Sequence, residues 1–159
     1  MAKAIPDGYR TLTPQLVVRN AARAIDFYKK AFGAQEICRM IMPGGTAIMH
    51  AELRIGDSIF FLNDEGTGGA LQSPEALGTS TGALHIYVED VDAAFARAVA
   101  AGAQVRMPVA DMFWGDRFGV VVDPSGHQWG LATHKEELTP QQMEERGREF
   151  FERMRAAGA

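Results

Sequence analysis

The sequence predicts an α+β fold: two tandem βαβββ repeats forming a cleft-bearing mixed sheet, with an amphipathic helix added at the C-terminus. Three observations carry this expectation. A short apolar run, a helix cap, an apolar stripe at helical spacing and a glycine stop occur in that order twice along the chain. Strand-like segments separated by turns follow each of these units. A capping-box pattern then opens a last, separate apolar stripe near the end of the chain.

In the first repeat, Leu16-Val17-Val18 is the apolar run, and Asn20 is suited to cap a helix because its side-chain oxygen can accept from the free N–H groups of the first turn. Ile25, Tyr28 and Phe32 then fall on one face of a helix over 21–32, and Gly33 supplies the stop. Strands are expected over 36–42, 46–55 and 58–63, divided by Pro43-Gly44-Gly45 and Gly56-Asp57. Met49, Ala51, Leu53 and Ile55 alternate, so His50, Glu52 and Arg54 share the opposite face, toward either a cleft or solvent.

The second repeat begins with Leu84 to Val88. Asp90 or Asp92 is its cap, Phe95 and Val99 lie on its helix, and Gly102 ends it. Gly33-Ala34-Gln35 is matched by Gly102-Ala103-Gln104, whereas the caps Asn20 and Asp90 are spaced one residue wider, so one residue differs between the two units. Strands are expected over 104–109, 117–122 and 127–133, with Pro124-Ser125-Gly126 as a turn. The single domain thus spans 1–138, with repeats at about 10–63 and 82–134. Residues 64–81, rich in Gly, Ser and Thr, read as a linker or mobile loop. In 139–159, Thr139 is an N-cap, Pro140 takes the first helical position and Gln142 closes the capping box. Met143, Phe150, Phe151 and Met154 form its stripe, which packs on its own sheet or on a partner subunit, and Glu144/Arg148 and Glu149/Arg153 are favourable pairs.

Composition narrows the functional classes. The 159 residues carry 16 Lys and Arg against 20 Asp and Glu, so the net charge of −4 offers no broad basic surface for nucleic acid or an anionic membrane. No apolar run is long enough to span a bilayer, and the polar start lacks a signal-peptide core. Cys38 is the only cysteine and has no intrachain partner, which together with these features points to the cytoplasm.

The run Ala21-Ala22-Arg23-Ala24-Ile25-Asp26-Phe27-Tyr28 with Gly33-Ala34, the run Val91-Asp92-Ala93-Ala94 with Gly102-Ala103, and the turn Asp123-Pro124-Ser125-Gly126-His127 resemble the vicinal oxygen chelate superfamily. That superfamily includes glyoxalase I, bleomycin-resistance proteins, fosfomycin-resistance enzymes and extradiol dioxygenases. Trp114-Gly115-Asp116-Arg117 and Ala132-Thr133-His134-Lys135-Glu136 are similar to its PhnB-like subgroup. The resemblance implies paired βαβββ units whose open sheet faces line a cleft, commonly built from two chains, so a homodimer is expected.

The resemblance also implies a test for metal. Enzymes of the superfamily hold one divalent ion with His and Glu from the first and last strands of each repeat. Counting from the shared motifs, those places fall on Thr13, Phe60, Ala83 and Gly130, which offer no imidazole, thiolate or carboxylate. The expected cofactor is therefore none. The competing arrangement is an off-pattern divalent metal held by His50, Glu52 and His85, which would make the protein a lyase, isomerase or dioxygenase.

The candidate ligand-binding residues are Gln15, His50, Glu52, Phe60, His85, Tyr87, Phe113, Trp114, Asp116 and Arg117. Period-two alternation puts Gln15 on the face of Thr13, puts His85 and Tyr87 on the face of Ala83, and turns Trp129 away toward a helix. Asp116 and Arg117 either pair with each other or hold a polar ligand. His127 is expected to cap its turn, and His134 and Lys135 to be exposed. Cys38 lacks any sequence neighbour that would activate its thiol. The function expected from these residues is sequestration of an aromatic or amphipathic small molecule in a metal-free cleft.

Overall fold

Asn20 and Asp90 cap their helices as the sequence requires. The Asn20 side chain accepts from the Arg23 N–H at 3.0 Å, and that of Asp90 accepts from Ala93 N–H at 3.0 Å. The structure is a computed structural model describing residues 2–158. Its first half comprises β1 (Gln15–Val18), α1 (Ala21–Phe32), β2 (Gln35–Ile41), β3 (Ile48–Ile55) and β4 (Ser58–Asp64). After α2 (Pro74–Leu77), the second half repeats the order with β5 (Ala83–Tyr87), α3 (Val91–Ala100), β6 (Gln104–Asp111), β7 (Asp116–Val122) and β8 (Gln128–His134), and α4 (Pro140–Ala156) follows.

Each half is a four-stranded mixed sheet, ordered β1-β4-β3-β2 in the first and β5-β8-β7-β6 in the second. The edge strand β1 runs parallel to β4, and β5 runs parallel to β8, while the other pairs are antiparallel hairpins. A helix covers one face of each sheet. Ala24, Ile25, Tyr28, Ala31 and Phe32 of α1 are buried at the expected helical spacing, and Ala51, Leu53, Phe60 and Leu62 rise from the sheet to meet them.

The halves join through their helices. α1 packs on α3, and Arg97 donates to the Ala31 carbonyl at 2.8 Å. Trp129, only 1% exposed, stacks obliquely among Tyr28, Phe32 and Phe60, so an aromatic side chain from the second sheet fills the core of the first. Asp123 ties the two together. Its carboxylate accepts from the Tyr28 hydroxyl at 2.7 Å, Trp129 Nε1 at 2.9 Å and the backbone N–H groups of Ser125 and His127. Burial, and then the Asp123 charge, push the Tyr28 hydroxyl well above its ordinary pKa, so it remains a donor. The His127 ring lies 3.0 Å from the Val17 carbonyl, which makes a second bridge between the halves.

One expectation needs revision, and the C-terminal helix forms where the sequence places it. Residues 64–81 are more than a connector. They hold α2, capped by the fully buried Ser73, whose hydroxyl donates to Glu65 at 3.0 Å, and α2 packs on β1. The C-terminal helix has the complete capping box and docks through Gly147, where an added Cβ would lie 3.2 Å from the Phe113 ring. Phe113 also meets Phe150 and Phe151, so α4 packs on its own chain while Phe151 and Met154 keep an exposed edge. Arg153 donates to the Glu149 carbonyl, not to its carboxylate. Among the described residues, no helix is long and apolar enough to cross a membrane.

Candidate functional site

With a helix on one face of each sheet, the other face of each sheet is left open, and strand register decides which residues stand there. In the second sheet His85 pairs with Gly130, and Tyr87 pairs with Ala132, which pairs in turn with Phe118. His85, Tyr87, Phe118 and Gly130 thus share the open face. The His85 and Phe118 rings are stacked, 5.2 Å apart and 4° from parallel, and Tyr87 lies 4.8 Å from His85. Gly130 sits beneath this stack. An added Cβ would come within 2.7 Å of the Phe118 ring and 3.0 Å of His85 Nδ1, so glycine is what lets the two rings close over the sheet.

Asp116 organises the polar end of this face. It is 5% exposed and accepts from the Tyr87 hydroxyl at 3.0 Å, from Trp114 Nε1 at 3.1 Å and from His134 Nδ1 at 2.8 Å. Burial alone would raise its carboxyl, but the hydrogen bonds from His134, Tyr87 and Trp114 outweigh that and hold it below its ordinary pKa. Asp116 raises His134 and Tyr87 in return. Tyr87 and Trp114 have their polar atoms satisfied by one carboxylate, while Tyr87 is 63% exposed and Trp114 packs edge-on to Phe118. Their apolar faces therefore remain available for stacking.

The first sheet presents different chemistry. Gln15 pairs with Phe61, Phe61 with Glu52, and Glu52 with Cys38, while His50 lies two residues before Glu52 on the same face. His50 Nε2 is 3.2 Å from Glu52 Oε1, and Tyr9, from the segment preceding β1, donates its hydroxyl to Glu52 Oε2. That donation, foremost, and then the contact with His50 hold the Glu52 carboxyl below its ordinary pKa despite partial burial. Burial and the bond to Glu52 push the Tyr9 hydroxyl up to about 12. His50 meets the Phe61 ring edge-on at 4.8 Å, and Gln15 donates to Asn63 at 3.0 Å.

Three sequence-derived candidates take other places. Phe60 is 4% exposed and faces Tyr28 and Trp129 on the helix side. The open position belongs to Phe61, because β3 and β4 are joined by two residues where β7 and β8 are joined by a longer turn, and a slip of one residue reverses the face. Arg117 points to the opposite side from Asp116 and is paired with Asp92 and Asp111, so these neighbours neither pair with each other nor serve one ligand. Phe113 is occupied with α4. Of the others, Tyr87, Trp114, Asp116 and His85 gather on the second sheet, whereas Gln15, His50 and Glu52 lie on the first. The sheets meet through α1 and α3, not through their open faces, so one chain does not unite His85 with His50 and Glu52.

Sequence reasoning did not reach Phe118, Phe61, Tyr9 or the Asp116–His134 bond, and it set Cys38 aside for want of an activating neighbour. Alternation from Asp116 would have reached Phe118. Tyr9 precedes the first strand and carried no periodic signal at all.

A groove of about 1030 Å3 between the β1–β4 corner and β5 is lined by Gln15, Leu16, Phe60, His85, Tyr87 and Trp129, so the candidates Gln15 and Phe60 of the first half share it with His85 and Tyr87 of the second. The family model described as the glyoxalase/bleomycin resistance protein/dioxygenase superfamily matches residues 10–131. The chain belongs to that superfamily. Within the superfamily fold, the places that hold a divalent ion correspond here to Thr13, Phe61, Ala83 and Gly130, and these four do not fit a metal because one hydroxyl is their only side-chain donor. The chain is similar to the uncharacterized protein Mb0911c of Mycobacterium bovis, at 50% identity over 123 residues, which cover 76% of this chain and 80% of that one. It is also similar to the crystal structure of TioX from Micromonospora sp. ML1, with a TM-score of 0.63 and 30% identity over 79% of this chain and 98% of that one. The PhnB protein from Bacillus cereus shares the superfamily fold, with a TM-score of 0.61 at 19% identity over 78% of this chain and 99% of that one.

Proposed function

We propose that the protein binds and sequesters a planar aromatic or amphipathic small molecule against the open face of the second sheet, without a metal at the superfamily's ligand places. The observation that carries this reading is the shared use of Asp116 by Tyr87 and Trp114. Two aromatic side chains with their polar atoms already satisfied select by stacking area more than by hydrogen bonding, and His85 with Phe118 continues the same aromatic surface. No general base is required by such a role.

A second copy of the chain is part of the proposal. One chain leaves both open faces uncovered by its helices, and Tyr87, Met40 and Met49 are exposed there or at their borders. Closing one chain's second sheet against the partner's first would bury this surface and enclose the ligand. The net negative charge favours a small ligand over nucleic acid or a membrane.

The chain has two tryptophans, one beside the proposed ligand and one buried in the core, so fluorescence is a direct test. Planar aromatic compounds should quench Trp114 saturably, and Trp114→Phe should remove that quenching while the Trp129 emission persists. Tyr87→Ala should weaken binding by about tenfold, the equivalent of one lost stacking contact. Absence of saturable binding across a broad aromatic set would overturn the proposal, as would conversion of the bound compound to a product. Sedimentation of a 17.3 kDa monomer at micromolar concentration would overturn the dimer.

A further inference from the structure

We infer that Cys38, His50 and Glu52 form a binding site for a thiophilic divalent cation, with Zn2+ the best chemical match, on the open face of the first sheet. All three donors come from the first sheet of one chain, so the site does not depend on the aromatic face of the second sheet, although the proposed dimer sets a partner's aromatic face opposite it. Nor is the site made from the superfamily's four ligand places, none of which contributes to it.

The side chains are brought together by the ladder itself. Cys38 and Glu52 are direct cross-strand partners on β2 and β3, and His50 stands two residues before Glu52 on the same face. One ligand atom from each, a sulfur, an imidazole nitrogen and a carboxylate oxygen, lies within 4.8 Å of the others. A tetrahedral zinc ion with ligands at ~2.0–2.3 Å spaces them roughly 3.3–3.8 Å apart. His50 Nε2 and Glu52 Oε1, at 3.2 Å, are already near that spacing. The 4.8 Å limit leaves at most about 1 Å for side-chain rotation to close at the remaining donor.

The surroundings support the same assignment. Tyr9 donates to Glu52 Oε2, which leaves Oε1 directed at His50 and fixes the carboxylate as an outer hydrogen-bond partner does in metal sites. The edge contact of Phe61 steadies the imidazole. Thiolate and carboxylate together neutralise a bound dication, and the thiol proton passes to solvent as the ion binds. The donor set combines sulfur, nitrogen and oxygen, which suits zinc over magnesium or calcium, and three protein ligands leave a fourth position open.

The test is titration of chelator-treated, dialysed full-length protein with Co2+, a spectroscopic substitute for Zn2+. The expected result is one equivalent bound per chain, with thiolate-to-cobalt charge-transfer absorption that Zn2+ abolishes by displacement. Cys38 is the only cysteine, so that absorption can come from no other residue. Cys38→Ser should remove it, His50→Ala and Glu52→Gln should each weaken binding at least about tenfold, and His85→Ala should leave it unchanged. Unaltered thermal midpoints in chelator would show that the variants fold. The inference is overturned if no saturable absorption develops, if Co2+ binds as tightly to Cys38→Ser, or if His85→Ala abolishes binding. Quenching of Trp114 by aromatic compounds in chelator is read independently, so failure here leaves the ligand proposal standing, and the reverse also holds.

Discussion

At matched register positions the two sheets carry different chemistry. Cys38, His50 and Glu52 in the first half stand where Met107, Phe118 and Val120 stand in the second, and Phe61 in the first stands where Gly130 lies in the second. The backbone ladder is common to both, so topology does not decide what each open face does. One phenylalanine fills the middle of the first face and leaves polar side chains around it. A glycine at the same place in the second lets His85 and Phe118 stack. On the helix side this contrast disappears, because Trp129 of one half and Tyr28 of the other share Asp123. A duplicated unit can diverge on its open face while the covered face stays bound to a common core.

The largest expected effect tests that common core. Asp123→Ala leaves the buried Tyr28 hydroxyl and Trp129 N–H without an acceptor and should cost about 3–5 kcal/mol. Urea unfolding followed by Trp129 fluorescence and by far-ultraviolet circular dichroism should give one coincident transition at a lower midpoint. Two separated transitions would break the comparison, since the halves would then be independent units.

The next effect should separate the open faces. Asp116→Ala strips the acceptor from Tyr87, Trp114 and His134 and should cost about 1–2 kcal/mol, limited because water can reach the exposed Tyr87 and His134. Glu52→Ala, on a more open face, should cost less than about 1 kcal/mol. Aromatic-ligand affinity should fall in the first variant and not in the second. Equal losses of affinity would show that the ligand is held as much by the first sheet as by the aromatic face of the second.

These contrasts were unevenly legible in the sequence. Helix limits, caps and the capping box depend on residues within a few positions of one another, and Asn20, Asp90, Thr139 and Gly33 carry them openly. Strand faces depend on register over longer distances. Counting from the turn glycines misplaces β4 by one residue, because Phe61 lies five residues beyond Gly56 whereas Gly130 lies four beyond Gly126, and so exchanges Phe60 for Phe61. Starting β7 at Arg117 likewise concealed Asp116 as a strand residue, although alternation from it separates Asp116 from Arg117 and reaches Phe118. The pairing of Cys38 with Glu52 requires knowing how β2 meets β3 across an irregular ladder, and the reach of Tyr9 over that sheet is wholly tertiary.

A smaller change should discriminate stacking from stability on the second face. In Gly130→Ala the new methyl meets the outer edge of the Phe118 ring and His85 Nδ1, both on side chains at the open face that can swing toward solvent, so the stability cost should stay below about 1 kcal/mol. The separated rings should nevertheless lose roughly tenfold in affinity for a planar ligand. Affinity unchanged by this methyl would remove the His85–Phe118 stack from the ligand surface and leave only Tyr87 and Trp114.

The smallest effect is a titration. The His134 ring, bonded first to Asp116 and then to Glu137, has its pKa raised in the folded chain, whereas Asp116 has its own lowered. A raised His pKa means that the folded state binds the proton more tightly than the unfolded state does. The stabilisation is therefore complete below about pH 6.5 and disappears as pH rises through the folded value. For Asp116 the sign is opposite: its stabilisation is present above about pH 3.9 and disappears as pH falls through the lowered value. Between those limits both contributions are in force, and the aromatic clamp at Tyr87 and Trp114 is held most firmly. Proton NMR of the His134 ring should give a midpoint above 6.5 in the wild-type chain, and Asp116→Asn should bring it down toward that ordinary value. A midpoint that does not move in Asp116→Asn would show that Glu137, the other acidic neighbour of His134, sets it instead, and that Asp116 anchors Tyr87 and Trp114 without coupling them to pH.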